Sequence, residues 1–196
     1  VWMVRLIATS MNKGNYEGTL TIYCHKELVD TIKTLTKLTI GKKFYQHFDE
    51  RIIFHVVEHG DTVKILGDSF TFFDIESTKE KQFGYTCLMD NGLKLSFPGD
   101  EPYRESLYDF VKGSDWLLHE AFCVYGEREI FKPYEKHHTT VKEACETAES
   151  LSIPNLDLWH TEDKDMAHRQ EKYLKEGKAY YSGNLLIPED QDIIEF

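Results

Sequence analysis

The chain has 196 residues, 41% of them hydrophobic, with twelve Phe, eleven Tyr and three Trp, which excludes a disordered polymer and allows one substantial core. Lys and Arg number 23 against 34 Asp and Glu, for a formal net charge of −11. That balance excludes a broad electrostatic footprint for nucleic acid, although a local basic patch or a bound cation can override the mean field.

Elements follow from the spacing of apolar residues. Val1, Val4, Ile7, Ala8 and Met11 fall at helical intervals, so a helix is expected over Val1–Met11. It opens on an apolar turn with neither a capping residue nor a Met, from which we expect that sequence upstream of Val1 is absent. The alternating, β-branched run Thr19–Tyr23 reads as a strand. His25–Leu38 reads as a helix with Leu28, Ile32 and Leu35 on its apolar face, and 41–50 as a loop. Ile52–Val57 and Val63–Ile65 suggest a hairpin around Glu58–Asp61, followed by a strand at Phe70–Ile75. Phe83–Met89 and Leu93–Phe97 form a second expected hairpin, turning at Asp90-Asn91-Gly92.

From Pro98 the pattern becomes strand, loop, helix. A short helix is expected over Glu105–Val111, a strand over Trp116–Glu120 and a long loop up to His138. The next helix runs from Thr139 or Thr140 to Leu151. Thr140 and Glu143 form a capping box there, and Val141, Ala144, Cys145, Ala148 and Leu151 line one face. Leu156–His160 reads as a strand and Asp163–Glu176 as a charged helix. Short strands are expected around 179–181, 185–187 and 193–196. No linker interrupts the chain, so residues 1–196 are expected to form a single domain.

No apolar run approaches the roughly 20 residues that a membrane-spanning helix needs, and no secretory, lipidation or repeat pattern is visible. Cys24, Cys87, Cys123 and Cys145 contain no Cys-x-x-Cys pair and read as reduced core residues, which fits a cytoplasmic location.

Polar residues gather directly after the apolar strands. Asp100 and Glu101 follow Leu95–Phe97, His119 and Glu120 end Trp116–Leu118, His160 follows Leu156–Trp159, and His138 opens the capped helix. Parallel strands bring their C-termini to one edge, where Asp, Glu and His can ligate metals and move protons. Each residue also has an ordinary structural reading. Asp100 can be a turn residue, His119 and His160 satisfied histidines, Glu120 an ion-pair member and His138 a helix cap.

These residues carry a family resemblance. Phe97-Pro98-Gly99-Asp100-Glu101 resembles the Gly-Asp-Thr motif of the metallo-β-lactamase superfamily. Leu117-Leu118-His119-Glu120-Ala121-Phe122 resembles the His-Glu-Ala-Thr motif of ribonuclease Z, His138-Thr139-Thr140 its His-Ser-Thr motif, and Leu158-Trp159-His160-Thr161 its Leu-Thr-His motif. The order of the motifs matches and the likeness runs from Val1 to Phe196, with His-Glu-Ala its most specific part. The resemblance implies an α/β fold of the αββα four-layer type, here its N-terminally incomplete C-terminal two-thirds. It implies a zinc-dependent phosphodiesterase or endoribonuclease with two zinc ions and a homodimeric assembly. Asp100 would bridge the metals, His160 would bind the second, Glu120 and His138 would form an acid/base pair, and His119 would be structural.

The sequence departs from that family in three places. The leading His-x-His-x-Asp-His motif is absent, so this chain alone is expected to be inactive. Glu76, ahead of Phe83-Gly84-Tyr85, stands where the family has a ligand histidine; a carboxylate can ligate zinc, and the change can also mark a lost site. The compact hairpin from Tyr85 to Phe97 leaves no room for a tRNA-gripping arm, which with the acidic charge argues for a small phosphodiester or RNA other than tRNA. The alternative function is a non-catalytic binding domain with an eroded metal site.

Overall fold

Leu117, Leu156 and Leu185 sit side by side on three neighbouring strands of one sheet and share one core with residues of two amphipathic helices. A computed structural model describes all 196 residues. The chain divides into two compact units, Val1–Glu58 and His59–Phe196.

In the first unit, α1 (Trp2–Asn12) and α2 (Lys26–Thr39) accompany a short helix α3 (Lys42–Tyr45) and a parallel pair of strands, β1 (Leu20–Cys24) and β2 (Ile52–Val56). Val4, Ala8 and Met11 recur at helical spacing on α1 and bury against Ile52. Three expectations fail here. The face of α2 that buries carries Val29 and Thr36, while Leu28 and Leu35 are exposed: the burying stripe is rotated by one residue, with Ile32 on its margin. β2 does not form a hairpin with the next strand but pairs with β1, 32 residues earlier, from Leu20 opposite Ile52 to Cys24 opposite Val56. Residues 41–50 also hold the helix α3 rather than only a loop.

The second unit is a seven-stranded sheet in the order β3-β4-β5-β6-β7-β8-β9. The strands are β3 (Thr62–Ile65), β4 (Asp68–Asp74), β5 (Phe83–Leu88), β6 (Lys94–Phe97), β7 (Trp116–Glu120), β8 (Asn155–Trp159) and β9 (Asn184–Leu186). β3 to β6 are antiparallel neighbours and β6 to β9 are parallel. The expected turn at Asp90–Gly92 joins β5 to β6, with Gly92 supplying a positive φ. Only one of the three expected closing strands forms, because residues 179–181 lie in turn and 193–196 pair with no strand.

Helices α4 (Tyr108–Val111), α5 (Arg128–Phe131), α6 (Val141–Ser150) and α7 (Met166–Gly177) complete this unit. α6 is set by its sequence. The Thr140 amide and hydroxyl both donate to Glu143 Oε2, at 2.8 and 2.7 Å, and the buried residues Val141, Ala144, Cys145 and Ala148 follow i, i+3, i+4, i+7 spacing. They pack with Leu117, Leu156, Leu158 and Tyr173. Fully burying each such leucine contributes about 2 kcal/mol. All four cysteines are buried and free, and no helix is long and apolar enough to cross a membrane.

Candidate active site

Sheet topology decides which residues meet. β6, β7 and β8 are parallel, and β4 runs with them because two antiparallel steps separate β4 from β6. Their C-termini therefore share one edge. Glu76 follows β4, Asp100 follows β6, Glu120 closes β7 and His160 follows β8.

Glu120 is fully buried. Its Oε1 accepts from the Thr139 amide at 2.5 Å, and its main-chain carbonyl accepts from the Thr139 hydroxyl at 2.9 Å and from His119 Nδ1 at 2.7 Å. His119 therefore carries its proton on Nδ1, and burial holds its imidazole below the ordinary value, against the pull of Glu120. The remaining carboxylate oxygen, Oε2, has no hydrogen-bond partner and lies 3.5 Å from His138 Nδ1, which has none either. An unsatisfied buried carboxylate oxygen is costly, so this arrangement is specific rather than incidental.

His138 is held by its surroundings. Its amide donates to the Pro133 carbonyl at 2.9 Å, and its ring stacks on Phe122 at 5.2 Å and 20°. The His160 ring stands edge-on to it at 4.6 Å and 80°. His160 sits at φ 53, a left-handed conformation that a non-glycine residue seldom adopts. Partial burial and the neighbouring His138 hold its imidazole below the ordinary value; the Asp100 and Glu120 carboxylates oppose that shift and Lys79 adds to it. The His160 side chain is exposed, which sets aside the reading of it as a satisfied buried histidine.

Asp100 is placed by Gly99, whose φ of 93 turns the chain off β6; a Cβ there would stand 2.7 Å from Ile75 Cδ1. Glu76 is exposed at φ 57, its amide donating to Asp74 Oδ1 at 2.8 Å. No three His, Cys, Asp or Glu side chains converge closely enough to hold a metal ion. A zinc site takes three or four protein ligands, so the residues of this chain do not by themselves fit a complete zinc centre.

Sequence reasoning missed Glu101. It is 2% exposed, its Oε1 accepts from Ser77 Oγ at 2.6 Å, and its Oε2 lies 3.7 Å from Arg104 Nη2. With Tyr103, Arg104, Tyr134, His137 and His138 it lines a cleft of about 320 Å³. The only signal was its place next to Asp100 after a strand.

No family model matches the chain. In sequence it is similar to ribonuclease Z of Thermococcus sibiricus, 32% identical over 103 residues that cover 53% of this chain and 31% of that protein, and to ribonuclease Z of Pyrococcus abyssi with the same figures. The chain thus spans about a third of the length of these relatives. In structure it is similar to the metallo-β-lactamase fold protein YhfI of Bacillus subtilis, with a TM-score of 0.71 and 17% identity over 95% of this chain and 68% of that one. It is also similar to the short form of human tRNase Z, with a TM-score of 0.66 and 15% identity over 98% of this chain and 71% of that one. The chain has the metallo-β-lactamase fold. Over about half of its length the sequence is similar to these ribonucleases Z.

Proposed function

We propose that this chain supplies the acid/base half of a metal-dependent phosphodiesterase of the ribonuclease Z type. The observation that carries this reading is the buried Glu120 Oε2, free of hydrogen bonds and 3.5 Å from His138 Nδ1. In the acid form of His138, Nδ1 faces Glu120 and Nε2 carries the proton delivered to the leaving oxygen of a phosphodiester. Glu120 fixes the ring and balances its charge, and Thr139 fixes Glu120. Phe122 holds the imidazole plane.

Asp100 and His160 are the candidate ligands at the same edge, with Glu76 a third. A complete dinuclear zinc centre needs more ligands than these residues bring together, so no step is assigned to a metal. The reading carries with it an RNA or small phosphodiester substrate, a homodimer, a cytoplasmic location and residues 1–196 acting as one domain. The lack of three convergent ligands is also what favours a second reading, a metallo-β-lactamase fold kept as a binding domain.

Hydrolysis of bis(4-nitrophenyl) phosphate by the full-length protein separates the two. The catalytic reading expects turnover that drops by about a hundredfold or more in His138→Ala. No turnover in the parent, or turnover that His138→Ala leaves intact, favours the binding domain.

A further inference from the structure

The loop after β6 carries three buried polar atoms without a hydrogen-bond partner: Glu101 Oε2, Tyr103 Oη and Arg104 Nε. Glu101 is 2% exposed, and its other oxygen, Oε1, accepts from Ser77 Oγ at 2.6 Å, which holds the carboxylate in place. Arg104 Nη2 stands 3.7 Å from Oε2, too far for a hydrogen bond, so the two charges offset each other without satisfying either group. Glu101, Tyr103 and Arg104 line the same cleft of about 320 Å³ as His138. Glu101 stands where the Gly-Asp-Thr motif has its threonine, so this carboxylate is a feature of the chain and not of the motif.

Buried polar atoms are costly until something completes them, and these three differ in what they require. The carboxylate oxygen only accepts, the guanidinium N–H only donates, and the phenol hydroxyl does both. A hydroxyl answers all three, because it donates and accepts at one atom. The offset charges of Glu101 and Arg104 suit an uncharged ligand. A further phosphate on that ligand would meet Glu101 in the cleft, with Asp100 and Glu76 along the same edge, and three carboxylates oppose it. His138 is a wall of the cleft and, in the catalytic reading, the acid that protonates the leaving oxygen. The group that departs with that proton therefore stands at the cleft.

We propose that Glu101, Tyr103 and Arg104 form a leaving-group pocket that selects a small uncharged alcohol with vicinal hydroxyls, so that the preferred substrate is a polyol phosphodiester. The inference rests on the catalytic reading for the bond that breaks, and it names the substrate class within that reading. Water adds to phosphorus and gives up a proton to solvent, the P–O bond to the polyol breaks, and His138 Nε2 hands its proton to the departing oxygen. The three pocket residues hold the departing alcohol and move no proton, so they set specificity.

The test compares two symmetric diesters in the full-length protein, with the monoester product followed by phosphorus NMR. Bis(2,3-dihydroxypropyl) phosphate releases glycerol whichever P–O bond breaks, and dipropyl phosphate releases the alcohol without the extra hydroxyls. The parent should favour the glyceryl diester by about tenfold or more in kcat/KM. Ser77 Oγ accepts from the Lys79 amide at 3.2 Å and gives its own proton to Glu101, so Glu101→Gln keeps its oxygen on Ser77 and turns a donor toward the cleft. That variant, and Arg104→Leu, should each lower the preference by about fivefold or more, whereas a general loss of structure slows both diesters alike. Glu105→Gln, an exposed neighbour, should leave the preference unchanged, and thermal melting verifies the fold of each variant. Equal rates on the two diesters, a preference that survives Glu101→Gln, or faster cleavage of an oligouridylate overturns the proposal. Turnover of bis(4-nitrophenyl) phosphate without a polyol preference sinks the pocket and leaves the catalytic reading standing. A parent that turns over no diester sinks the catalytic reading, and saturation-transfer NMR of bis(2,3-dihydroxypropyl) phosphate then decides the pocket alone. Binding that Glu101→Gln weakens supports it; no binding, or binding that this variant leaves intact, overturns it.

Discussion

Glu120 Oε2 and His138 Nδ1 face each other across 3.5 Å, and neither atom has a hydrogen-bond partner. Thr139, the residue after His138, donates to the other Glu120 oxygen, so one turn of chain presents both the imidazole and the amide to a single carboxylate. Glu120→Gln keeps the shape but places a neutral group against the ring. In the full-length protein it should cut turnover of bis(4-nitrophenyl) phosphate by roughly a hundredfold with little loss of stability. A variant as active as the parent would remove Glu120 from the proton path.

Zinc uptake follows from the donor count. Asp100 and His160 are only two candidate ligands where a tetrahedral site takes three or four, so the 196-residue chain should retain little zinc after dialysis. Atomic absorption showing near-stoichiometric zinc that a chelator removes would contradict this.

Asp157 provides a pH test of stability. It is buried in the middle of β8, its Oδ1 lacks a partner, and burial pushes its carboxyl from 3.8 up to about 6. The folded state then holds the proton more tightly than the unfolded one. Its contribution is most favourable below the unfolded value and is lost as the pH rises through about 6. Relative to the parent, Asp157→Asn should gain roughly 1–2 kcal/mol between pH 4 and pH 8, after discounting for solvent screening. Denaturant melts at the two pH values measure the difference, and parallel stabilities would refute the assignment.

Gly99 tests how Asp100 is placed. Alanine there meets both a left-handed φ and Ile75 Cδ1. Gly99→Ala should therefore cost about 2–4 kcal/mol in chemical denaturation. A cost below about 0.5 kcal/mol would mean that the loop after β6 relaxes freely.

The capping box of α6 links stability to the site. Thr140→Ala removes a donor to Glu143 next to the Thr139–Glu120 bond, and should cost about 1 kcal/mol. A neutral result would show that the Thr140 amide alone is enough to hold Glu143.

The site edge was legible because each polar residue there ends an apolar strand, and that pattern survives folding unchanged. The positions of Glu120 and His160 at this edge were read from that pattern, that of His138 from the start of the capped helix, and α6 was legible because its cap and its stripe agree. The failures share a cause in long-range choice. Leu28 and Leu35 make as good a helical stripe as Val29 and Thr36, and only the packing of the unit selects between them. Ile52–Val56 has turn residues after it, yet its partner is β1 rather than β3.

Glu76 and His160 share an unusual backbone, left-handed and not glycine, just past the ends of β4 and β8 at the same sheet edge. Such a conformation costs of order 1–3 kcal/mol for an ordinary side chain. Selection schemes should therefore disagree at these two positions. A library sorted for folding and expression would enrich glycine and asparagine at 76 and 160, and the same library sorted for turnover would discard them at 160. The gap between the two enrichment profiles would mark the residues at which the chain gives up stability in exchange for chemistry.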